Sequence, residues 1–183
     1  ACKKENITTI MMPSPYTSKI SLEDAKKLTD NLVIDHKVMS IKPLMKSFDK
    51  TFSSEFKNLP IDITEENVQA RIRGVLLMAY SNKFNGIVLA TSNKSEVAVG
   101  YSTLYGDMVG GFAILKDVPK TFVYKIAEEI NRTNNIIPER ILTRPPSAEL
   151  SKNQTDQDNL PDYKVLDAII DLYIEKNKSI KMI

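Results

Sequence analysis

The sequence predicts an α/β fold, a doubly wound parallel sheet flanked by helices, and three observations carry that expectation. Short β-branched and apolar runs at residues 7–12, 34–41 and 87–90 alternate with longer segments of helical periodicity. Strands that alternate with helices join as parallel βαβ units, which places helices on both faces of the sheet. The third run is followed at once by Thr91-Ser92-Asn93-Lys94-Ser95-Glu96, small polar residues with a lysine and a carboxylate. In open α/β sheets the ligand crevice lies outside the carboxyl ends of the strands, and this is the composition such a crevice needs.

Each element has a local reason. The run 7–12 is bounded by Asn6 and Pro13 and reads as a buried strand. Ser21 with Asp24 three residues later reads as a capping box that opens a helix, with Leu22, Ala25, Leu28 and Leu32 on one face. Residues 34–41 form the second strand, and Pro43 then starts a helix through Phe56. The longest helix is expected over 64–84, with Val68, Ile72, Val75, Leu76 and Ala79 as its apolar stripe and Gly86 separating it from the third strand. A glycine-rich loop, 106–111, leads to a helix opening at Pro119. Residues 144–161 are polar, aperiodic and long enough to be expected mobile and functional, and a last helix covers 162–176. Residues 1–6 read as the end of a helix entering a turn, so the chain is expected to begin mid-element and the sheet to lack its first strand. All 183 residues are taken as one domain.

Composition narrows the function classes. With 42% hydrophobic and 26% charged residues the chain is an ordinary globular protein, and no apolar run has the length of a membrane span. A net charge of +2 with scattered lysines gives no electrostatic case for nucleic acid. The single cysteine, Cys2, excludes an intramolecular disulfide framework, fits a reducing compartment and makes a cytoplasmic setting the expectation.

Several residues carry chemistry. Glu96 has two compatible readings: it closes a capping box with Asn93, and it offers hard oxygen to Mg²⁺, which shares its coordination with nucleotide phosphates. Arg71 sits at the edge of an apolar stripe with Asn67 one turn earlier, so its guanidinium needs a partner, either an internal carboxylate or a ligand. Tyr105, Asp107 and Asp117 flank the glycine loop, as turn residues or as a stacking ring with two acceptors. Lys120, at a helix start, opposes the helix dipole unless an anion lies nearby, and phosphate would supply one. The lone His36 reads as part of a solvated strand face, and Cys2 has no base near it in sequence.

These motifs resemble the synthetase domain of NAD synthetases, a branch of the N-type ATP pyrophosphatases with an adenine nucleotide α-hydrolase-like fold. The resemblance extends over nearly all of the chain. It implies ATP-dependent amidation of deamido-NAD to NAD through an adenylated nicotinate, with ATP and Mg²⁺. The family's Thr-x-Asn-Lys-x-Glu matches here, which implies Thr91 at ATP and Glu96 at metal and substrate. Its Asn-x-x-Ala-Arg matches Asn67 to Arg71, which implies that Asn67 and Arg71 face deamido-NAD. Its Tyr-Gly-Asp matches Tyr105 and Asp107, with Asp117 nearby, and these join the deamido-NAD set. The lysine of Pro-Lys-Thr matches Lys120 and implies ATP phosphate contact; Lys120 and Glu96 are the implied catalytic pair. Ser147 matches the second phosphate loop, so 144–161 becomes a phosphate-side loop, and Ser14 is placed on the adenosine side. Leu104 stands where ammonia-dependent relatives often have lysine, so that contact does not carry over.

The family's Ser-Gly-Gly-x-Asp-Ser phosphate loop and its basic C-terminal tail are absent from these residues. The Pro-Lys-Thr approach and the Asn-Gln-Thr-Asp-Gln-Asp stretch resemble glutamine-dependent members, which implies a longer chain with a glutaminase domain supplying ammonia, and a homo-oligomer. The rival expectation is a catalytically inactive fragment that acts only as an oligomerisation module. A further rival is another ATP pyrophosphatase, such as a GMP or asparagine synthetase.

Overall fold

The computed structural model describes residues 2–183; Ala1, and with it part of the expected helix end, lies outside the described residues. A 3-10 turn at Lys4–Asn6 precedes strand β1 (Thr8–Met11), helix α1 (Lys19–Leu32), β2 (Asp35–Val38) and α2 (Lys42–Phe52). The long helix α3 (Ile63–Phe84) leads to β3 (Leu89–Ala90), α4 (Lys94–Ala98), β4 (Phe112–Ala113) and α5 (Lys120–Asn134). Then come α6 (Glu139–Thr143), a 3-10 turn (Asp156–Asp158) and α7 (Tyr163–Ile170), which continues as a π-helical turn (Asp171–Glu175) before a last 3-10 turn (Ile180–Met182).

The α/β architecture is as expected, and every strand pairing is parallel. Among the described residues the pairing forms two short ladders, β1 with β2 (Thr8 opposite Asp35, Met11 opposite Val38) and β3 with β4 (Leu89 opposite Phe112). The strand β4 has no counterpart in the sequence reading, because two residues that follow a glycine pair are too few to show alternation. Gly110 makes that ladder possible: a Cβ there would lie 2.8 Å from the Ala90 backbone nitrogen.

Helix starts and faces differ from expectation in three places. α1 begins at Lys19, capped by Ser18, whose Oγ accepts the Ser21 N–H at 3.1 Å. The Ser21–Asp24 pattern resembled a capping box, but Ser21 Oγ donates to Glu149 and Asp24 turns away to Arg140. α2 ends at Phe52 rather than Phe56, although Phe48, Phe52 and Phe56 stack in series at 4.6 and 4.9 Å. On α3, Asp62 and Glu65 form a capping box, but the buried face is Gln69, Ala70 and Gly74, while Val75 of the expected stripe is 67% exposed. The reason is backbone approach: a Cβ on Gly106 would lie 2.9 Å from Ala70, so the 103–109 loop lies on the small-residue face of α3.

The apolar core is small. Tyr163, Leu166 and Ile170 of α7 form its buried cluster with Leu160 beside it, and α7 packs against both α4 and α5. His36 is half-buried rather than solvated, with Nδ1 3.0 Å from Thr9 Oγ1, because the parallel register sets the two side by side. Cys2 is exposed.

Candidate functional site

The short helix α4 starts just beyond β3 because Asn93, 4% exposed, caps it. Asn93 Oδ1 accepts the Glu96 N–H at 3.1 Å, and Glu96 Oε2 accepts the Asn93 N–H at 3.3 Å. The capping role of Glu96 is therefore real, and it consumes one carboxylate oxygen. The other, Oε1, accepts from Lys120 Nζ at 2.8 Å. Both side chains of this ion pair are about four-fifths buried, and Nζ also stands 5.3 Å from the centre of the Tyr163 ring. A cation over an aromatic face is attracted by the ring quadrupole, so three groups define where the ammonium sits.

The α5 N-terminus already has its anion. Thr121 donates to Asp167 Oδ2 from its N–H at 2.9 Å and from its hydroxyl at 2.7 Å. Ser95, fully buried, donates its hydroxyl to the other Asp167 oxygen and accepts the Lys120 N–H at 2.8 Å. This corrects the argument from the helix dipole: the Ser95 hydroxyl and the Asp167 carboxylate of α7, not phosphate, answer the Lys120 and Thr121 N–H groups, which leaves the Lys120 side chain for a ligand.

A second cluster adjoins the first. Thr103, 6% exposed, donates its hydroxyl to Asn67 Oδ1 at 2.8 Å and its N–H to Asp107 Oδ1 at 2.9 Å. Arg71 Nε donates to the Leu104 carbonyl at 3.3 Å; Arg71 is exposed and has no salt bridge among the described residues. Tyr105 adopts a left-handed backbone (φ 63°) and leaves its ring 78% exposed. Burial of its carboxyl raises the Asp107 pKa against the hydrogen bond from Thr103, and the nearby Glu96 charge adds to the rise. Asn67 and Arg71 of α3 are thus hydrogen-bonded to the loop that carries Tyr105 and Asp107, and the Glu96 charge is felt at Asp107.

The remaining expected residues make no side-chain hydrogen bond to these two clusters among the described residues. Thr91 is exposed just past β3, and Asp117 is exposed in the turn before α5. Ser14, 9% exposed, uses its hydroxyl to accept the Tyr16 N–H at 3.1 Å within a turn after β1. Ser147 Oγ accepts the Glu149 N–H at 3.1 Å and donates to the Gln154 carbonyl. Residues 144–161 also carry Asp156, 4% exposed, which accepts from Tyr163 at 2.7 Å and Tyr101 at 3.3 Å. Burial, then the Asp156 charge, pushes the Tyr101 hydroxyl up to about 12.

Sequence reading missed Ser95, Thr103, Asp156, Tyr163 and Asp167. A signal existed for Asp167 alone: it interrupts an apolar helix between Leu166 and Ile170, where a carboxylate demands partners. Among the described residues no group of three or more His, Cys, Asp or Glu is arranged to hold a metal.

The NAD synthase family model matches residues 1–183. The chain belongs to the NAD synthase family. It is 53% identical over 177 residues to a glutamine-dependent NAD(+) synthetase of Acinetobacter baylyi, covering 96% of this chain and 33% of that protein. A protein of the same name from Aquifex aeolicus is 52% identical, covering 98% of this chain and 32% of its own length. The chain thus spans about a third of the length of these curated relatives. Among solved structures, glutamine-dependent NAD+ synthetase from Acinetobacter baumannii in complex with ADP superposes with a TM-score of 0.73 at 47% identity, covering 94% of this chain and 30% of that one. NMN synthetase from Francisella tularensis superposes with a TM-score of 0.81 at 30% identity, covering 90% and 66%.

Proposed function

We propose that this chain is the synthetase part of a glutamine-dependent NAD synthetase, a carbon–nitrogen ligase that amidates deamido-NAD at the expense of ATP. The Glu96–Lys120 pair beside the Asn67–Thr103–Asp107 cluster carries the reading, together with family membership. In the reaction, a nicotinate carboxylate oxygen bonds to the α-phosphorus of ATP and pyrophosphate leaves. Ammonia nitrogen then bonds to the activated carbonyl carbon, AMP leaves, and the nitrogen gives up a proton.

The chain's own residues bind and orient. Lys120 directs its remaining N–H donors at ATP phosphates, where charge grows on the departing pyrophosphate. Glu96 holds that ammonium in place. Asn67 and Arg71 bind the dinucleotide, the guanidinium through donors left over from the Leu104 contact, with the Tyr105 ring and the carboxylates of Asp107 and Asp117 around it. Thr91, Ser147 and Ser14 line the ATP side, and the 144–161 segment moves over the phosphates to exclude water. Glu96 would hold Mg²⁺ through the lone pairs left beside its bonds to the Asn93 N–H and Lys120, and the ion would neutralise phosphate charge. A homo-oligomer, ammonia delivered by a glutaminase domain and a cytoplasmic setting belong to the same reading. No described helix is long and apolar enough to cross a membrane.

The test is turnover by the protein as its own gene encodes it, with ATP, deamido-NAD and either glutamine or ammonia. NAD, AMP and pyrophosphate in equal amounts are expected. Absence of turnover with a persistent dimer supports the inactive oligomerisation module instead, a reading favoured by the exposed Ile61, Ile63 and Val75 at 80, 65 and 67%. Turnover of xanthylate or aspartate in place of deamido-NAD overturns the substrate assignment.

A further inference from the structure

The Tyr163 ring is more than core. Tyr163 is 6% exposed and belongs to the buried α7 cluster, yet one face receives the Lys120 ammonium at 5.3 Å. Its hydroxyl donates to Asp156 Oδ2 at 2.7 Å, and Asp156 Oδ1 accepts from Tyr101 at 3.3 Å. Asp156 lies in the 144–161 segment, and its backbone N–H donates to the Pro146 carbonyl at 3.0 Å, one residue before Ser147. A continuous set of contacts therefore runs from the Ser147 turn through Asp156 and Tyr163 to Lys120.

We propose that Tyr163 is a positioning residue for Lys120, and that Asp156 uses it to couple the 144–161 segment to the orientation of that ammonium. The proposal rests on the assignment of Lys120 to ATP phosphate. The physics favours a ring over another carboxylate at this point. A π face attracts the cation without taking any of its three N–H donors, so one donor goes to Glu96 and two stay free for phosphate oxygens. A second carboxylate there would take a donor and repel the phosphate. The buried Asp156 in turn fixes the far end of the ring through the phenolic hydroxyl, and any displacement of 144–161 that moves Asp156 moves the seat of the lysine.

The experiment is a double-mutant cycle between Tyr163 and Lys120 in the protein as its own gene encodes it. Tyr163→Met keeps side-chain bulk in the core while removing the π face, and Tyr163→Phe keeps the face while removing the hydroxyl. Tyr163→Met is expected to lower kcat/KM for ATP about tenfold, with KM for deamido-NAD unmoved, and to have no further effect in a Lys120→Ala background. Tyr163→Phe is expected to lose less than about threefold. Asp156→Asn is expected to fall between them and to increase cleavage of 144–161 by protease. Equal losses from Met and Phe, or full additivity with Lys120→Ala, would overturn the proposal in favour of a purely structural role.

A second readout does not depend on turnover. In the NMR spectrum the Lys120 ε-methylene protons should carry an upfield ring-current shift that Tyr163→Met removes and Tyr163→Phe retains. Absence of that shift in the unmodified protein refutes the seat itself. If the shift is present but Lys120→Ala turns over normally, the assignment of Lys120 to ATP has failed, and with it the proposal that its seat matters to the reaction.

Discussion

Two regions of this molecule solve opposite problems. Around α4, α5 and α7, polar groups are buried and answered within the chain: Ser95 at 0%, Asn93 and Asp156 at 4%, Thr103 at 6% and Asp167 at 9% exposure all have hydrogen-bond partners. Along α3 and the approach to it, the reverse holds. Leu59, Ile61, Ile63 and Val75 leave 64 to 80% of their surface in water. Buried polar atoms are costly unless satisfied, whereas exposed apolar side chains forgo a gain rather than incur a penalty. The site region is internally complete, whereas the α3 flank is not. Within α3 the one buried side-chain atom lacking a partner among the described residues, Gln69 Oε1, lies on its inner face.

The largest expected effect breaks the site side of this comparison. Lys120→Ala should lower kcat for NAD formation by about 10²–10³, the size seen when a preorganised charge donor is removed. Its melting temperature should also fall, since the mostly buried Glu96 carboxylate loses its partner. Steady-state kinetics beside a thermal melt separates the two outcomes; a large melting shift with unchanged kcat makes Lys120 structural.

Next comes Asp167→Ala, which strands the hydroxyls of Ser95 and Thr121 and the Thr121 N–H away from water. A loss of about 3 kcal/mol or more follows from hydrogen bonds made to a buried charge. Asp167→Asn should recover part of it, as read from urea midpoints at unchanged slope. If Asp167→Ala unfolds at the unaltered midpoint, the network is not what secures α4 to α5.

Acid should discriminate among the carboxylates. The hydrogen bond from Arg140, at 2.9 and 3.0 Å, holds the Asp24 carboxyl below its ordinary value, with burial working against it. A carboxylate whose folded pKa is depressed contributes stability above its unfolded pKa and loses it as pH falls through the lower folded value. For Asp24 that window lies below about pH 4. Asp107 has the opposite sign: burial raises its pKa, so its charged form costs stability near neutral pH and the cost is relieved on acidification. Melting curves from pH 7 down to about pH 3 should therefore fall less steeply for Arg140→Ala. Asp107→Asn should be at least as stable as the parent at pH 7 while losing deamido-NAD affinity. A destabilised Asp107→Asn would mean that the Thr103 N–H bond outweighs desolvation.

The smallest expected effect sharpens the other side. Ile61→Ser with Val75→Ser should shift stability by no more than about 0.5 kcal/mol, as for exposed positions generally. If the α3 flank is an interface, the same pair lowers the association state in sedimentation. A large drop in monomer stability would show that these side chains are packed in solution.

The local codes were legible because they are local. Asn93 and Glu96 meet across one helical turn, so their capping box was readable and is present at 3.1 and 3.3 Å. The α3 range, the parallel class and the short apolar strands followed from periodicity in the same way. Resemblance then nominated Glu96 with Lys120, and Asn67 with Asp107, as parts of one site. What periodicity could not supply was any contact that needs the chain to return. Ser95 and Asp167 are 72 residues apart, Lys120 and Glu96 24, and Asn67 and Thr103 36. No sequence window spans those separations. The Ser21–Asp24 pattern misled for the same reason: both side chains were claimed by Glu149 and Arg140 from far along the chain, and the helix moved its cap to Ser18. The sequence by itself therefore determined where the helices and strands other than β4 and α6 begin, within a few residues, and which family they belong to. Only the tertiary structure decided which donor answers which acceptor, because burial removes water as the alternative partner and makes each such pairing obligatory.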